Sequence, residues 1–330
     1  MSKFKKFLTT FLLGGFVSFS SADIISYEHK NSEIIDVKLQ KVEIEEFADL
    51  VYSQPPIYGY KNKPLTMDIL KPVGKKGEIL KLPTVVFVPG GGFISANKAK
   101  WLQTKLAIAE AGYVVASISY RVAPEVKFPD PVIDVKTAIR FLRTNAQRFG
   151  VDSERIAVMG NSAGGYFSAM TGVTNGVAEF EANEHQGVKS DVKAVVDIYG
   201  PSDLNKIGVG YEKSLEDEHY SPSSPESLLL NGLAANSRTS GSIKDYPERA
   251  DKANPLKYIS KNTVPFLIMV GDKDTRVSPN QSEILHEGLL KVGAKSSLII
   301  VKGAEHGGAH WAQKSISDII IKFLDENVKK

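Results

Sequence analysis

Apolar residues in this chain fall into short runs whose period changes along the sequence. "TVVFV" (84–88), "VVASISY" (114–120), "RIAVMG" (155–160), "VKAVVDIY" (192–199), "PFLIMVG" (265–271) and "SSLIIVKG" (296–303) are apolar at nearly every position. Runs of that length without polar alternation fit strands covered on both faces. Between them the period lengthens. "AKWLQTKLAIAEAG" stops at Gly112, a residue suited to the position just past a helix, and "PVIDVKTAIRFLRTNAQRFG" puts Val132, Val135, Ile139 and Leu142 on one helical face. Strand and helix alternate, which predicts a mostly parallel sheet with helices on both sides.

Two segments break the alternation. Residues 40–70, interrupted by "SQPPIYGYKNKP", predict an antiparallel hairpin leading into the sheet. Residues 204–254 are rich in Ser, Asn and Gly and poor in long apolar runs. They predict an inserted cap or lid over the strand ends, where sheets of this kind bind ligands.

Composition changes the picture mostly at the N-terminus. The 330 residues, 42% of them hydrophobic, suffice for a substantial core. Lys3, Lys5 and Lys6, the run "FLTTFLLGGFVSFS" and the small residues "SSA" before Asp23 have the three-part form of a secretory signal peptide cleaved after Ala22. The apolar run is shorter than the ~20 residues a bilayer span needs. The expectation is a secreted or periplasmic protein with a single domain at 23–330. Loss of residues 1–22 takes the formal charge from +3 to zero, and a neutral surface gives no general attraction to nucleic acid or anionic membrane. The chain has no cysteine, which excludes disulfides, thiolate metal sites and lipid attachment at the signal-peptide junction.

The strongest chemical signal is "RIAVMGNSAGGYFSAM". A strand ends at Gly160, and Gly160-Asn161-Ser162-Ala163-Gly164 fits G-x-S-x-G before residues able to start a helix. That spacing holds a serine in a tight strand-to-helix turn, with glycines where the backbone must approach closely and helix N–H groups facing developing negative charge. Serine is a weak nucleophile on its own, so a base and an orienting acid must follow, in the chain order Ser, Asp or Glu, His.

Asp274, in "MVGDKDTRV" just past a strand, is the candidate acid; its neighbour Asp272 is read as shaping the turn. Of the three histidines downstream, His286 lies within a helical pattern, while His306 in "VKGAEHGGAH" follows the last strand among glycines that suit a loop presenting an imidazole. His310 is the rival base. His306 and His310 form H-x-x-x-H, but the glycines between them oppose a helix and the zincin glutamate is missing. No metal or organic cofactor is expected. "PGGGFIS" (89–95) lacks the spacing of a phosphate loop or a dinucleotide fingerprint, and a glycine run after a strand and upstream of the elbow is where hydrolases place a second oxyanion donor. The expected donors are the N–H groups of Ala163 and of Gly91 or Gly92.

With these motifs in place the sequence resembles the α/β-hydrolase superfamily, and within it the bacterial esterases related to hormone-sensitive lipase, in the branch with acetyl and feruloyl esterases. The resemblance runs from about Pro64 to the C-terminus, through "PGGGF", "SISYRVAPEVKFPDPVIDVKTAIRFL", "GNSAGG", "AVVDIYGPSDL", "ANPLKYI", "PFLIMVGDKDTRV" and "KGAEHG". It implies an α/β-hydrolase fold with a small cap, a Ser162–Asp274–His306 triad and an oxyanion hole of Gly91, Gly92 and Ala163. The implied activity is hydrolysis of a small ester or an acylated carbohydrate. The sequence departs from the pattern at Pro89, where these esterases usually carry histidine. Two other classes fit parts of the pattern. A prolyl-oligopeptidase-type peptidase would need a propeller or large cap, for which residues 23–83 are too few, and a non-catalytic binding module would typically have lost a triad member.

Overall fold

In the computed structural model, which describes residues 32–330 apart from 34, 60, 182–183 and 234–239, the apolar runs pair into one eight-stranded sheet. The expected signal peptide, 1–22, lies outside the described residues, as do residues 234–239 of the expected insertion. In chain order the elements are β1 (Ile44–Ser53), β2 (Pro56–Ile57), β3 (Lys61–Asn62), β4 (Leu65–Pro72), β5 (Leu82–Val88), α1 (Leu102–Glu110), β6 (Val114–Ile118), α2 (Asp130–Thr144), α3 (Ala146–Phe149), β7 (Val151–Asn161) and α4 (Ala163–Val173). There follow β8 (Val195–Ile198), α5 (Lys213–His219), α6 (Pro225–Asn231), α7 (Pro247–Ala253), β9 (Phe266–Gly271), α8 (Pro279–Lys291), β10 (Ser296–Val301) and α9 (Lys314–Leu324).

The sheet order is β1-β4-β6-β5-β7-β8-β9-β10. β4 runs antiparallel to β1 and β6, and the remaining neighbours are parallel. Residues 40–70 form the expected antiparallel entry, with β2 and β3 as a small separate hairpin inside it. The pleat sends successive residues of β5 to opposite cores. Val86 and Val88 join Val135 of α2 and Phe167 of α4, whereas Val85 and Phe87 join Ile108 of α1 and Ile320 of α9. Both faces are covered, which is why the strands carry no polar alternation.

The long helical pattern after Pro131 divides in two. Asn145 donates its side-chain amide to the Phe141 carbonyl at 2.9 Å, a local bond that competes with helix continuation, and α3 ends at Gly150 with φ 66°. The string "YRVAPEVKFPDPVIDV" has a structural explanation. Arg121 donates from Nη2 and Nε to the buried Asp134 carboxylate at 2.8–3.0 Å and from its backbone N–H at 2.8 Å, while Nη1 reaches the Pro56 carbonyl at 3.1 Å. This ties the segment after β6 to α2 and to the β2–β3 hairpin. Burial pushes the Asp134 carboxyl up to about 6 against the pull of Arg121.

Asp197, near the end of β8, is fully buried; one carboxylate oxygen accepts the Gly200 N–H at 3.0 Å and the other has no partner among the described residues. Burial pushes its carboxyl from 3.8 up to about 7, with the Gly200 bond acting the other way. A carboxyl whose folded value is raised binds protons more strongly in the folded state, so its stabilising contribution is complete below pH ~4 and is lost as pH rises through ~7. Asp197→Asn keeps an acceptor for Gly200 and removes the titration. Urea midpoints should therefore show the variant gaining stability relative to wild type between pH 4.5 and pH 7.5; a difference that stays constant across that window would contradict the assignment.

Candidate active site

β7 runs directly into Ser162, whose backbone sits at φ 55°, ψ −127°, and α4 begins at the next residue. Such a conformation costs a non-glycine residue on the order of 1–3 kcal/mol. Its neighbours hold it: Ser162 N–H donates to the Ile198 carbonyl of β8 at 2.8 Å, and its carbonyl accepts Tyr166 N–H at 3.0 Å. The flanking glycines are dictated by space. A Cβ on Gly160 would lie 2.2 Å from the Gly164 carbonyl oxygen, and one on Gly164 would lie 2.0 Å from that of Val88.

The loop after β10 brings His306 to the serine, with Nε2 2.8 Å from Ser162 Oγ and Nδ1 2.7 Å from Asp274 Oδ2. Asp274 follows β9 with its side chain fully buried, and its other oxygen accepts the backbone N–H groups of Arg276 and Val277 at 2.8 and 2.9 Å. The acid is therefore fixed by its own turn. Asp272 does something different: it accepts Gly303 N–H at 2.6 Å and ties the β9 turn to the His306 loop. His286 on α8 pairs with Ser296 Oγ at 2.8 Å, and His310 lies exposed in a short turn without contact to Ser162 or Asp274. The structure thus brings Ser162, Asp274 and His306 together and leaves the rival residues outside.

Aromatic groups that sequence reasoning did not single out set the imidazole in place. The Tyr199 ring lies 4.5 Å from that of His306 and 4.8 Å from that of Trp311, and Trp311 Nε1 donates to the Glu305 carbonyl at 2.9 Å. The "DIYG" and "HW" contexts carried no spacing rule that would mark them.

The glycine run after β5 curls beside Ser162. Tyr120 Oη donates to the Pro89 carbonyl at 2.6 Å, Gly90 N–H donates to Asn161 Oδ1 at 3.0 Å, and the Gly91 carbonyl accepts Ile94 and Ser95 N–H groups at 3.2 and 3.1 Å. Phe93, at φ 62°, buries its ring against Tyr166 and Phe167 at 5.4 and 5.5 Å. Those contacts fix a loop that has proline where the resemblance leads one to expect histidine. The N–H groups of Gly91, Gly92 and Ala163 have no hydrogen-bond acceptor among the described residues. A Cβ on Gly91 would meet the Ser95 carbonyl oxygen at 2.1 Å.

Two hollows flank the Ser162–His306 pair. One, of about 330 Å³, is lined by Gly92, Phe93 and Ala163 and by residues of α5 and α6 from the segment between β8 and β9. The other, of about 460 Å³, is lined by Gly90, Gly91, Lys100, Trp101, Tyr199 and the glycines after His306.

An eight-stranded sheet of this order, with a serine on a strand–turn–helix elbow and an aspartate and a histidine meeting it from later loops, is the α/β-hydrolase fold. Within that class the chain belongs to the BD-FAE family, whose model matches residues 67–289. The match takes in Ser162 and Asp274 and stops short of His306, which stands on geometry. Among curated proteins the chain is similar to "Esterase LipC" of Mycobacterium tuberculosis, 34% identical over 227 residues, which are 68% of this chain and 53% of that protein. It is also similar to "Isoprenylcysteine alpha-carbonyl methylesterase ICME" of Arabidopsis thaliana, at 27% identity over 68% of this chain and 50% of that one. The chain spans about half the length of the curated relatives it matches. Among solved structures, a truncated carbohydrate esterase from gut microbiota superposes with a TM-score of 0.74 at 25% identity, over 88% of this chain and 98% of that one. Esterase Est2 of Thermogutta terrifontis with propionate bound gives 0.64 at 25% identity, over 87% and 94%.

The Tyr120 hydroxyl is the contact most specific to holding the glycine loop. Tyr120→Phe leaves the buried Pro89 carbonyl without that donor, at a cost of about 1–3 kcal/mol. The expected result is a lower thermal midpoint together with a fall in kcat on a simple ester that exceeds any change in KM; unchanged kcat in a destabilised variant would mean the bond supports only the fold.

Proposed function

We propose that this protein is a serine carboxylic ester hydrolase. The observation that carries the reading is the continuous hydrogen-bonded chain from Ser162 Oγ through His306 to Asp274, with links of 2.8 and 2.7 Å. His306 Nε2 takes the serine proton as Oγ attacks the ester carbonyl. Asp274, which accepts from Nδ1–H, holds the tautomer that leaves Nε2 free and stabilises the imidazolium. The N–H groups of Ala163 and of Gly91 or Gly92 receive the oxyanion, each donor contributing ~3–4 kcal/mol to the barrier by analogy with other hydrolases. His306 then protonates the departing alcohol, and water activated by the same nitrogen releases the acid from the acyl-serine.

The substrate on this reading is a short-acyl or aryl-acyl ester, acetyl or feruloyl in type, on a carbohydrate alcohol. The support is the resemblance to acetyl and feruloyl esterases and the superposition on a structure titled as a carbohydrate esterase. Two hollows that meet at Ser162 suit the two halves of an ester. The helices α5 and α6, from the segment between β8 and β9, act as the cap that closes one of them. Export, with cleavage after Ala22, is proposed from the form of residues 1–22 alone.

Hydrolysis of p-nitrophenyl acetate by purified variants tests the assignment. Ser162→Ala and His306→Ala should each lower kcat by ~10⁴-fold or more while leaving the far-ultraviolet circular dichroism spectrum unchanged. Near wild-type turnover by Ser162→Ala would sink the reading, and a loss seen only in His310→Ala would move the base.

A further inference from the structure

The hollow of about 330 Å³ is apolar where Phe93, Leu215 and Val277 line it, but α5 and α6 set three ionisable side chains in its wall, Glu218, His219 and Glu226, and Arg276 lines it as well. His219, the last residue of α5, and Glu226, in the first turn of α6, approach with Nδ1 3.2 Å from Oε1. Their side chains are only 11% and 9% exposed. Ser224 caps α6 by accepting Ser227 N–H at 3.1 Å, which fixes the turn that carries Glu226. On its other side His219 is stacked by Tyr211, with ring centroids 5.7 Å apart and planes 11° from parallel.

The pair uses half of its hydrogen-bonding capacity. Glu226 Oε2 and His219 Nε2 are buried and have no partner among the described residues. A buried polar atom left unpaired costs about 1–3 kcal/mol, and more when it is charged. Joining two short helices requires no such atoms, since an apolar pair would serve. A carboxylate only accepts, so it takes the Nδ1–H of the imidazole, and a neutral ring then offers Nε2 as a second acceptor. With the ring neutral, these two atoms are acceptors that lack donors among the described residues. A short acyl chain supplies none, whereas adjacent hydroxyl groups supply two.

We propose that His219 and Glu226 form a subsite that accepts hydrogen bonds from two hydroxyl groups on the alcohol half of the substrate, selecting a partly acylated sugar over a simple alkyl or aryl ester. The inference rests on the ester-hydrolase reading above and adds the residues that choose the alcohol. The acyl group then occupies the hollow beyond Ser162, between Trp101, Tyr199 and Gly307. A site built to hydrogen-bond a substrate hydroxyl discriminates strongly against an analogue without it, because its own buried groups are then left unpaired.

The test compares kcat/KM for a mono-O-acetylated methyl β-xyloside with that for p-nitrophenyl acetate, whose leaving group carries no further hydroxyl. In Glu226→Gln the ratio of the two should fall by ~30-fold or more, the effect of losing one hydrogen bond to a charged group. A ratio that stays within about twofold of wild type overturns the subsite and makes the pair a staple between α5 and α6. A second measurement does not depend on the variant folding: methyl β-xyloside should compete with p-nitrophenyl acetate on the wild-type protein. Absence of competition at ~100 mM, far above a millimolar Kd, also overturns the proposal. A wild-type protein that hydrolyses neither ester overturns the hydrolase reading itself, whereas one active on p-nitrophenyl acetate with an unmoved ratio overturns the subsite alone.

Discussion

The conformation of Ser162 is the constraint on which the rest depends. A serine at φ 55° between a buried strand and a helix is stable only if the strands on either side leave no room for anything else. β8 takes its N–H, the β5 end packs within van der Waals reach of Gly164, and Asp197 crowds Gly165, where a Cβ would come 2.3 Å from its carboxylate. The reward is position. The hydroxyl stands clear of the sheet at the start of α4, where helix N–H groups face any negative charge formed on a bound ester.

The same packing organises both partners of the serine and the loop opposite. Asn161, one residue before Ser162, receives Gly90 N–H, so the elbow itself holds the glycine run whose Gly91 and Gly92 N–H groups have no acceptor among the described residues. Tyr199 follows β8 and packs its ring at a tilt against His306, so the strand that anchors Ser162 also leads to the residue that positions the imidazole beside it. Asp274 needs no outside help, because its turn supplies two N–H donors to the oxygen that His306 does not use. The three residues thus come from loops after the C-terminal ends of β7, β9 and β10, Ser162 and Asp274 held by backbone hydrogen bonds and His306 by the Tyr199 ring and by the Trp311 and Asp272 bonds to its loop.

Much of this was legible in the sequence because it rests on local rules. The central strands are apolar at nearly every position since both of their faces are covered, and the G-x-S-x-G spacing follows from clearances of about 2 Å that only glycine meets. Chain order separated His306 from the earlier histidines, and the glycines around it distinguished it from His286. What the sequence withheld depends on contacts between distant segments. Tyr120 reaches Pro89 across 31 positions, and Tyr199 and Trp311 meet only once β8 and the His306 loop are folded. The division of the long helix at Asn145 has a related cause, a side-chain bond to Phe141 that outweighs a continuous apolar period. The string after Tyr120, which no catalytic step requires, became intelligible through the Arg121–Asp134 pair.

The central claim is that the geometry makes Ser162 a nucleophile through His306. Labelling with a fluorophosphonate, read by peptide mass spectrometry, tests it most directly, since the reagent marks a serine oxygen only where a base has activated it. The account predicts one adduct per chain, on Ser162, and none in His306→Ala. A folded wild-type protein that stays unlabelled, or carries its adduct on another serine, would contradict it.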